Sequence, residues 1–185
     1  MILYIDACAR KNSRTRELAD ALLNILSKDD SDLEKINLYE QELQPITQEI
    51  ISKRDSDLSA KDFSDSYYAL AKQLAAADTV IIATPYWDLS FASILKTYLE
   101  NISVNGITFY YDENGIPHGL CKADKLYYVT TSGGIIGDNN FGFDYVKALT
   151  TNLYGVKEAL CIKAEGLDLV GNDAARILAQ AKAQL

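Results

Sequence analysis

Ile2-Leu3-Tyr4-Ile5-Asp6-Ala7-Cys8-Ala9-Arg10-Lys11-Asn12-Ser13-Arg14-Thr15-Arg16-Glu17-Leu18 runs from an apolar strand into an amphipathic helix. Ile2 to Ile5 read as the strand, and Leu18, Leu22, Ile25 and Leu26 recur on one helical face. A strand that turns into a helix N-terminus presents free backbone N–H groups and the positive end of the helix dipole, so it attracts an anion. Arg10, Lys11, Arg14 and Arg16 surround the hydroxyls of Ser13 and Thr15 in this turn, while the whole chain carries a net formal charge of −8. The cationic cluster therefore points to a bound phosphate, with a solvated basic helix face as the competing reading.

Outward from this unit, Val80-Ile81-Ile82-Ala83 and Leu126-Tyr127-Tyr128-Val129 read as strands buried on both faces, followed by Ala159-Leu160-Cys161-Ile162. Ile36 and Leu38 alternate with polar neighbours, as in an edge strand. Helical spacing recurs at Phe63, Tyr67, Leu70, Ala71 and Leu74, and at Phe91, Ile94, Leu95, Tyr98, Leu99 and Ile102. Val146, Leu149 and Leu153 mark a fourth helix, and Ile177, Leu178 and Ala181 a fifth. Strands and helices alternate throughout, which predicts an α/β fold: a doubly wound, five-stranded parallel sheet with helices on both faces, in the commoner order 2-1-3-4-5. Residues 1–185 read as one domain with a polar insertion at 40–61, wrapping the surface. A hairpin-like excursion at 103–124 carries Phe109-Tyr110-Tyr111 and an Asn114-Gly115 turn.

Composition excludes several classes. An acidic chain without a basic face argues against nucleic-acid binding. No apolar run reaches the length of a membrane span, and Met1 opens directly on a strand, so neither a transmembrane helix nor a signal peptide is expected. Cys8, Cys121 and Cys161 are odd in number, far apart and without a CxxC pair; this suits a reduced, cytoplasmic protein with no disulfide frame and no metal site. His118 is the only histidine and falls in Asn114-Gly115-Ile116-Pro117-His118-Gly119, a turn-rich loop. A surface or substrate-loop role is expected there more than a catalytic one.

In a doubly wound sheet, ligands bind outside the carboxyl ends of the strands near the topological switch point. Three loops follow central strands: the basic turn after Ile5, Thr84-Pro85-Tyr86-Trp87-Asp88-Leu89-Ser90, and Thr130-Thr131-Ser132-Gly133-Gly134. A cationic pocket, an aromatic wall with the only Trp and a glycine-containing loop suit an aromatic heterocycle bearing a phosphate, most simply FMN. Singly, each has a plainer reading: Trp87 as a core aromatic, Ser132-Gly133-Gly134 as a turn. Neither GxGxxG nor GxxxxGK[ST] is present.

Pro85-Tyr86-Trp87-Asp88-Leu89, Ser93-Ile94-Leu95-Lys96-Thr97-Tyr98, Gly106-Ile107-Thr108-Phe109 and Thr130 through Ile135 occur in an order that resembles the FMN-dependent NAD(P)H:quinone oxidoreductase and azoreductase family, of flavodoxin-like fold. The resemblance spans nearly the whole chain. It implies that Ser13, Arg14 and Thr15, with Arg10 beside them, hold the FMN phosphate. It also implies that Tyr86, Trp87, Asp88 and Leu89 line the isoalloxazine and that Thr131, Ser132, Gly133 and Gly134 meet its polar edge. Cys8 falls where the family often has a hydroxyl. The family works as a homodimer with flavins at the interface, which implies that Phe109 and Tyr111 reach the neighbour's site as a substrate wall. Asp88 stands where the family usually has Asn, and Ser132 where it has Arg. An ionised carboxylate near N1 and O2, or the loss of a cation, disfavours anionic reduced flavin.

The expected activity passes hydride from NADH or NADPH through flavin N5 to a quinone- or azo-type flat acceptor, by ping-pong turnover and with no catalytic side chain. The alternative is a flavodoxin-type electron carrier that binds FMN without NAD(P)H turnover. Such carriers usually have a glycine-containing phosphate loop and lack the hairpin.

Overall fold

Alternation within the first strand assigns both faces of the sheet: Leu3 and Ile5 join one buried cluster and Tyr4 the other. The structure, a computed structural model, describes residues 1–27 and 33–185. In chain order the elements are β1 (Ile2–Asp6), α1 (Arg14–Leu26), β2 (Leu33–Asn37), α2 (Gln48–Ala60), α3 (Ala69–Ala76), β3 (Thr79–Ala83), β4 (Tyr86–Trp87), β5 (Ser90–Phe91) and α4 (Ser93–Ile102). There follow β6 (Phe109–Tyr111), β7 (Pro117–Gly119), β8 (Lys125–Thr131), α5 (Phe141–Leu149), β9 (Glu158–Ala164) and α6 (Ala174–Lys182). The main sheet has the order β2-β1-β3-β8-β9, all parallel, which is the expected 2-1-3-4-5.

The two clusters are the two sides of one layered core. Leu3, Ile5, Val80, Ile82, Leu126 and Tyr128 pack against Leu74 of α3, Leu95, Tyr98 and Leu99 of α4 and Val146 of α5. On the other face Tyr4, Ile81, Ala83 and Val129 meet Leu18, Ala19, Leu22 and Leu23 of α1 and Leu178 of α6. Burying a large aliphatic side chain contributes about 1.5–3 kcal/mol, so both faces drive closure of the sheet. The buried stripe of α1 is therefore Leu18-Ala19-Leu22-Leu23. Ile25, expected on it, lies at its margin and is 54% exposed.

Four local expectations differ. The polar insertion contains α2, which buries no residue and so has no apolar period to reveal it. Its helix is set locally: Thr47 caps the N-terminus, Lys53 pairs with Asp57 four residues on at 2.8 Å, and Lys61 closes the C-terminus in the left-handed region. Phe63 precedes its helix, because Asp65 accepts from Tyr67 N at 2.8 Å and starts a 3-10 turn over Ser66–Tyr68. Leu38 leaves β2 for a 3-10 turn capped by the Asn37 side chain. Phe91 belongs to β5, not to α4.

The excursion is a hairpin: Phe109 pairs with Gly119, Tyr110 with His118 and Tyr111 with Pro117. Asp112 closes its turn by accepting from the N–H groups of Asn114 and Ile116, each at 2.9 Å. At Gly119 a Cβ would lie 2.2 Å from the Tyr154 backbone, so only glycine lets the hairpin lie against the π-helical turn Thr150–Tyr154.

Candidate functional site

β1 and β3 are neighbours whose onward connections run in opposite directions, which opens a crevice above their carboxyl ends. The β1–α1 turn forms one wall. Asp6, 7% exposed, accepts from Cys8 N at 2.8 Å with one oxygen and from Arg16 Nε at 2.5 Å with the other. The remaining Arg16 donors reach backbone carbonyls of the turn itself: Cys8 O at 2.8 Å, Arg10 O at 3.0 Å and Lys11 O at 2.8 Å. The Asp6 hydrogen bond raises the Arg16 pKa and fixes its charge. Ser13 is the N-cap, its Oγ accepting from Arg16 N at 3.2 Å. Thr15, fully buried, shares a hydrogen bond of 2.6 Å with Thr131 Oγ1 and so ties the start of α1 to the end of β8.

Arg14 points across the mouth and makes a forked pair with Asp168, Nη1 to Oδ1 at 2.8 Å and Nη2 to Oδ2 at 3.0 Å. The guanidinium holds the Asp168 carboxyl below the ordinary carboxylate range. Asp168 approaches closely because Gly133 has no side chain: a Cβ there would lie 2.5 Å from Asp168 Oδ2. The loop after β8 is itself laced to the chain after β9, with Ser132 N to Ala164 O at 2.9 Å and Asp168 N to Gly133 O at 2.9 Å.

The second wall is a tight hairpin, β4 against β5, whose two-residue turn Asp88-Leu89 has φ of 50° and 66°. Both residues adopt the left-handed conformation of a type I′ turn, normally given to Asn and Gly. Tyr86 is fixed by its hydroxyl, which donates to Asn139 O at 2.7 Å. Trp87 is 39% exposed, so it is a wall residue and not a core aromatic.

These walls border an open crevice of about 680 Å³, the solvent at its mouth included. Nine of the residues expected from sequence line it: Arg10, Ser13, Arg14, Thr15, Tyr86, Trp87, Thr131, Ser132 and Gly133. Asp88, Leu89 and Gly134 do not; they lie exposed at the loop tips. Phe109 and Tyr111 are also outside it. Phe109 is 7% exposed in its own core, because its ring faces inward from β6, so it presents no wall to a neighbour. Tyr111, 52% exposed, packs edge-on against Phe109 at 5.4 Å. Cys8 lies on the cavity floor with its thiol donating to Ala83 O at 3.6 Å; burial pushes it up to about 12, so it stays neutral and is no nucleophile. His118 sits on the hairpin, 3.1 Å from Asp112 and stacked on Tyr110, and is not a lining residue.

Of the five other lining residues, Cys8, Ala9, Asn12 and Pro85 lie within the loops read from sequence, and Asp168 is the one outside them that sequence reading missed. Its only signal is position, four residues past the last strand at the carboxyl edge of the sheet. Among the described residues no group of His, Cys, Asp and Glu is placed to hold a metal ion. The site offers an anion-attracting turn, hydroxyls, an indole face and a glycine loop, and no acid–base pair.

Comparison with known proteins agrees with this architecture. The family model described as "Flavodoxin-like fold" matches residues 1–185. FMN-dependent NADH:quinone oxidoreductase 2 of Clostridium acetobutylicum is 34% identical over 96% of this chain and 92% of its own length. The FMN-dependent NADH:quinone oxidoreductase of Coprothermobacter proteolyticus is 34% identical over 93% of this chain and 89% of its own. Among solved structures, an azoreductase from Bacillus anthracis superposes with a TM-score of 0.83 at 20% identity, covering 99% of this chain and 95% of that one, which speaks to the fold. A doubly wound sheet of order 2-1-3-4-5, a three-loop crevice at its switch point and relatives matched along nearly their whole length lead to one conclusion: the chain belongs to the flavodoxin-like fold family, among the FMN-dependent NADH:quinone oxidoreductases.

Proposed function

We propose that the chain is an FMN-dependent oxidoreductase that takes reducing equivalents from NADH, the donor in its relatives' names, and passes them to a quinone- or azo-type acceptor by ping-pong turnover. The observation that carries this reading is the cavity's chemistry. One side is a cationic helix start with hydroxyls, suited to a phosphate; the other carries an exposed indole and a glycine loop, suited to a flat heterocycle. When bound, FMN supplies the hydride chemistry at its N5. The residues present fit it.

Ser13, Thr15 and the free N–H groups at the start of α1 hold the phosphate, with Arg10 and Arg14 adding charge. Tyr86 and Trp87 support the ring system, with Asp88 and Leu89 at the tip of the same hairpin. Thr131, Ser132 and Gly133 meet the polar edge of the ring, and Gly134 leaves space at the mouth. Thr131 and Ser132 are 8% and 6% exposed, so their hydroxyls act in a largely water-excluded wall. The protein binds, orients and keeps water out; no side chain moves a proton in this scheme.

The working unit in this reading is a homodimer. Tyr110, Tyr111, Ile116 and Leu120 of the hairpin region are each 41% or more exposed, a surface suited to a second copy. Tyr111 is then the substrate wall for the partner's flavin. Among the described residues no helix is long and apolar enough to cross a membrane, and we place the enzyme in the cytoplasm, where NADH is available.

The test is anaerobic spectroscopy of the purified protein with FMN. NADH should bleach the flavin bands, and a quinone should restore them. Failure to bind FMN overturns the reading. FMN binding without reduction by NADH favours an electron carrier instead.

A further inference from the structure

Phosphate loops commonly rely on glycine, which lets successive backbone N–H groups converge on an anion. Residues 6 to 16 of this chain contain no glycine. What organises the turn instead is Arg16. From the first turn of α1 its guanidinium reaches back and takes the carbonyls of Cys8, Arg10 and Lys11 at 2.8, 3.0 and 2.8 Å, while Nε is anchored on Asp6. No peptide bond is cis among the described residues. In a trans peptide the carbonyl and the next N–H point in opposite directions. Three carbonyls drawn onto the guanidinium therefore turn the N–H groups of Ala9, Lys11 and Asn12 away from it. Ala9 and Asn12 line the cavity and Arg16 does not. Arg16 borders two outer grooves, one with Ala9 beside Asn37 and Glu40 and one with Asn12 beside Glu17 and Asp20, so these two residues separate it from the cavity.

We infer that Arg16 is the positioning residue of the anion-binding turn: by gathering the carbonyls of Cys8, Arg10 and Lys11 it aims the N–H groups of Ala9 and Asn12 at the cofactor's phosphate. The inference rests on the FMN reading above. It assigns different work to two arginines of one cluster. Arg14 faces the cavity and Asp168, and Arg16 shapes the backbone behind it. Lysine cannot stand in for Arg16, because three donors on a single nitrogen do not span a carboxylate and three carbonyls held in a planar fork.

The experiment titrates the full-length protein, freed of flavin, with FMN and with riboflavin, which differ only in the phosphate. The ratio of the two affinities isolates the phosphate contribution. In Arg16→Lys the ratio should fall by about tenfold or more, the loss of a charge-assisted hydrogen bond to the anion, with riboflavin affinity unchanged. The double variant Asp6→Asn, Arg16→Met leaves no unpaired buried carboxylate and should show the same fall, with far-UV circular dichroism reporting an intact fold. An unchanged ratio in folded Arg16→Lys overturns the inference. So does an equal loss of both flavins, which would make Arg16 merely structural. A wild-type ratio near one is a separate result: it removes the phosphate site itself, and the inference with it.

Discussion

Arg16 faces the carbonyl side of the β1–α1 turn, whereas Arg14, two residues earlier, reaches over the cavity mouth to Asp168. The sequence shows both as parts of one cationic cluster, and helical geometry sends them to opposite sides. Thr15 lies between them and joins the start of α1 to the end of β8 through a single hydroxyl pair with Thr131. Replacing it by the isosteric valine leaves the Thr131 hydroxyl unpaired in a buried place. Thr15→Val should cost about 1–2 kcal/mol of stability, read from the urea midpoint, and should speed FMN dissociation in stopped-flow. Cys8 gives a second test at this scale. Its thiol and that of Cys121 are pushed up to about 12 by burial, so the reactive thiolate is scarce near neutrality. Neither should react with an aromatic disulfide reagent at pH 8 in the folded protein, and both should react once guanidinium unfolds it. Rapid labelling of Cys8 in the native state would show the cavity floor to be open.

At the scale of elements, α4 is held at its C-terminus from outside. Arg54 of α2 donates to Glu100 O, Asn101 O and Ser103 O and to the Tyr67 hydroxyl. The last carbonyls of a helix lack partners and carry the negative end of its dipole, so a guanidinium there serves as a cap. Arg54→Met should lower stability by about 1–3 kcal/mol in chemical denaturation. An unchanged midpoint would mean water caps α4 equally well. The β4–β5 hairpin is the reverse case, an element that keeps a strained turn. Asp88→Asn with Leu89→Gly places the favoured Asn-Gly pair at the two left-handed positions and should stabilise the fold by about 1 kcal/mol. The same change should weaken FMN binding if the turn is retained for the site. α2 was hidden from pattern reading because the face it lays on the fold, Ile50, Lys53, Arg54, Asp57 and Leu58, is only half-buried and mostly charged, while β6–β7 was legible from Asn114-Gly115 and its aromatic strand.

At the scale of the molecule, buried thiols and phenols lie on both faces of the sheet. Burial raises Cys8, Cys121, Tyr4, Tyr98 and Tyr128 above their ordinary ranges. Above roughly pH 9 the unfolded chain releases these protons while the folded chain keeps them, so the folded state binds more protons and stability falls as pH rises. Each thiol contributes a loss of about 1.4 kcal/mol per pH unit until its folded value near 12 is reached. Denaturation curves at pH 8 and pH 10.5 should separate clearly, and coincident curves would contradict the burial of these groups. Sedimentation should give a dimer, and Tyr110→Arg with Tyr111→Arg should shift it toward monomer; a wild-type monomer would remove the shared-site reading.

By itself the sequence determined the alternation of strands and helices, the two-sided core and the three loops at the carboxyl edge of the sheet. Those follow from apolar periodicity and alternation, which are local records of what each segment must bury. The strand order, expected only as the commoner one, was decided by the structure. Nine lining residues were legible because they fall in or beside the three segments that follow those strands, where the basic cluster and the motifs of the family resemblance marked them. Only the tertiary structure decided what those residues do to one another. It paired Arg14 with Asp168 across 154 positions, turned Arg16 onto the carbonyls of its own turn, sent Phe109 into the core and left Asp88 and Leu89 at a strained tip. Such pairings depend on direction and distance between groups remote in the chain. A one-dimensional pattern of polar and apolar residues carries neither.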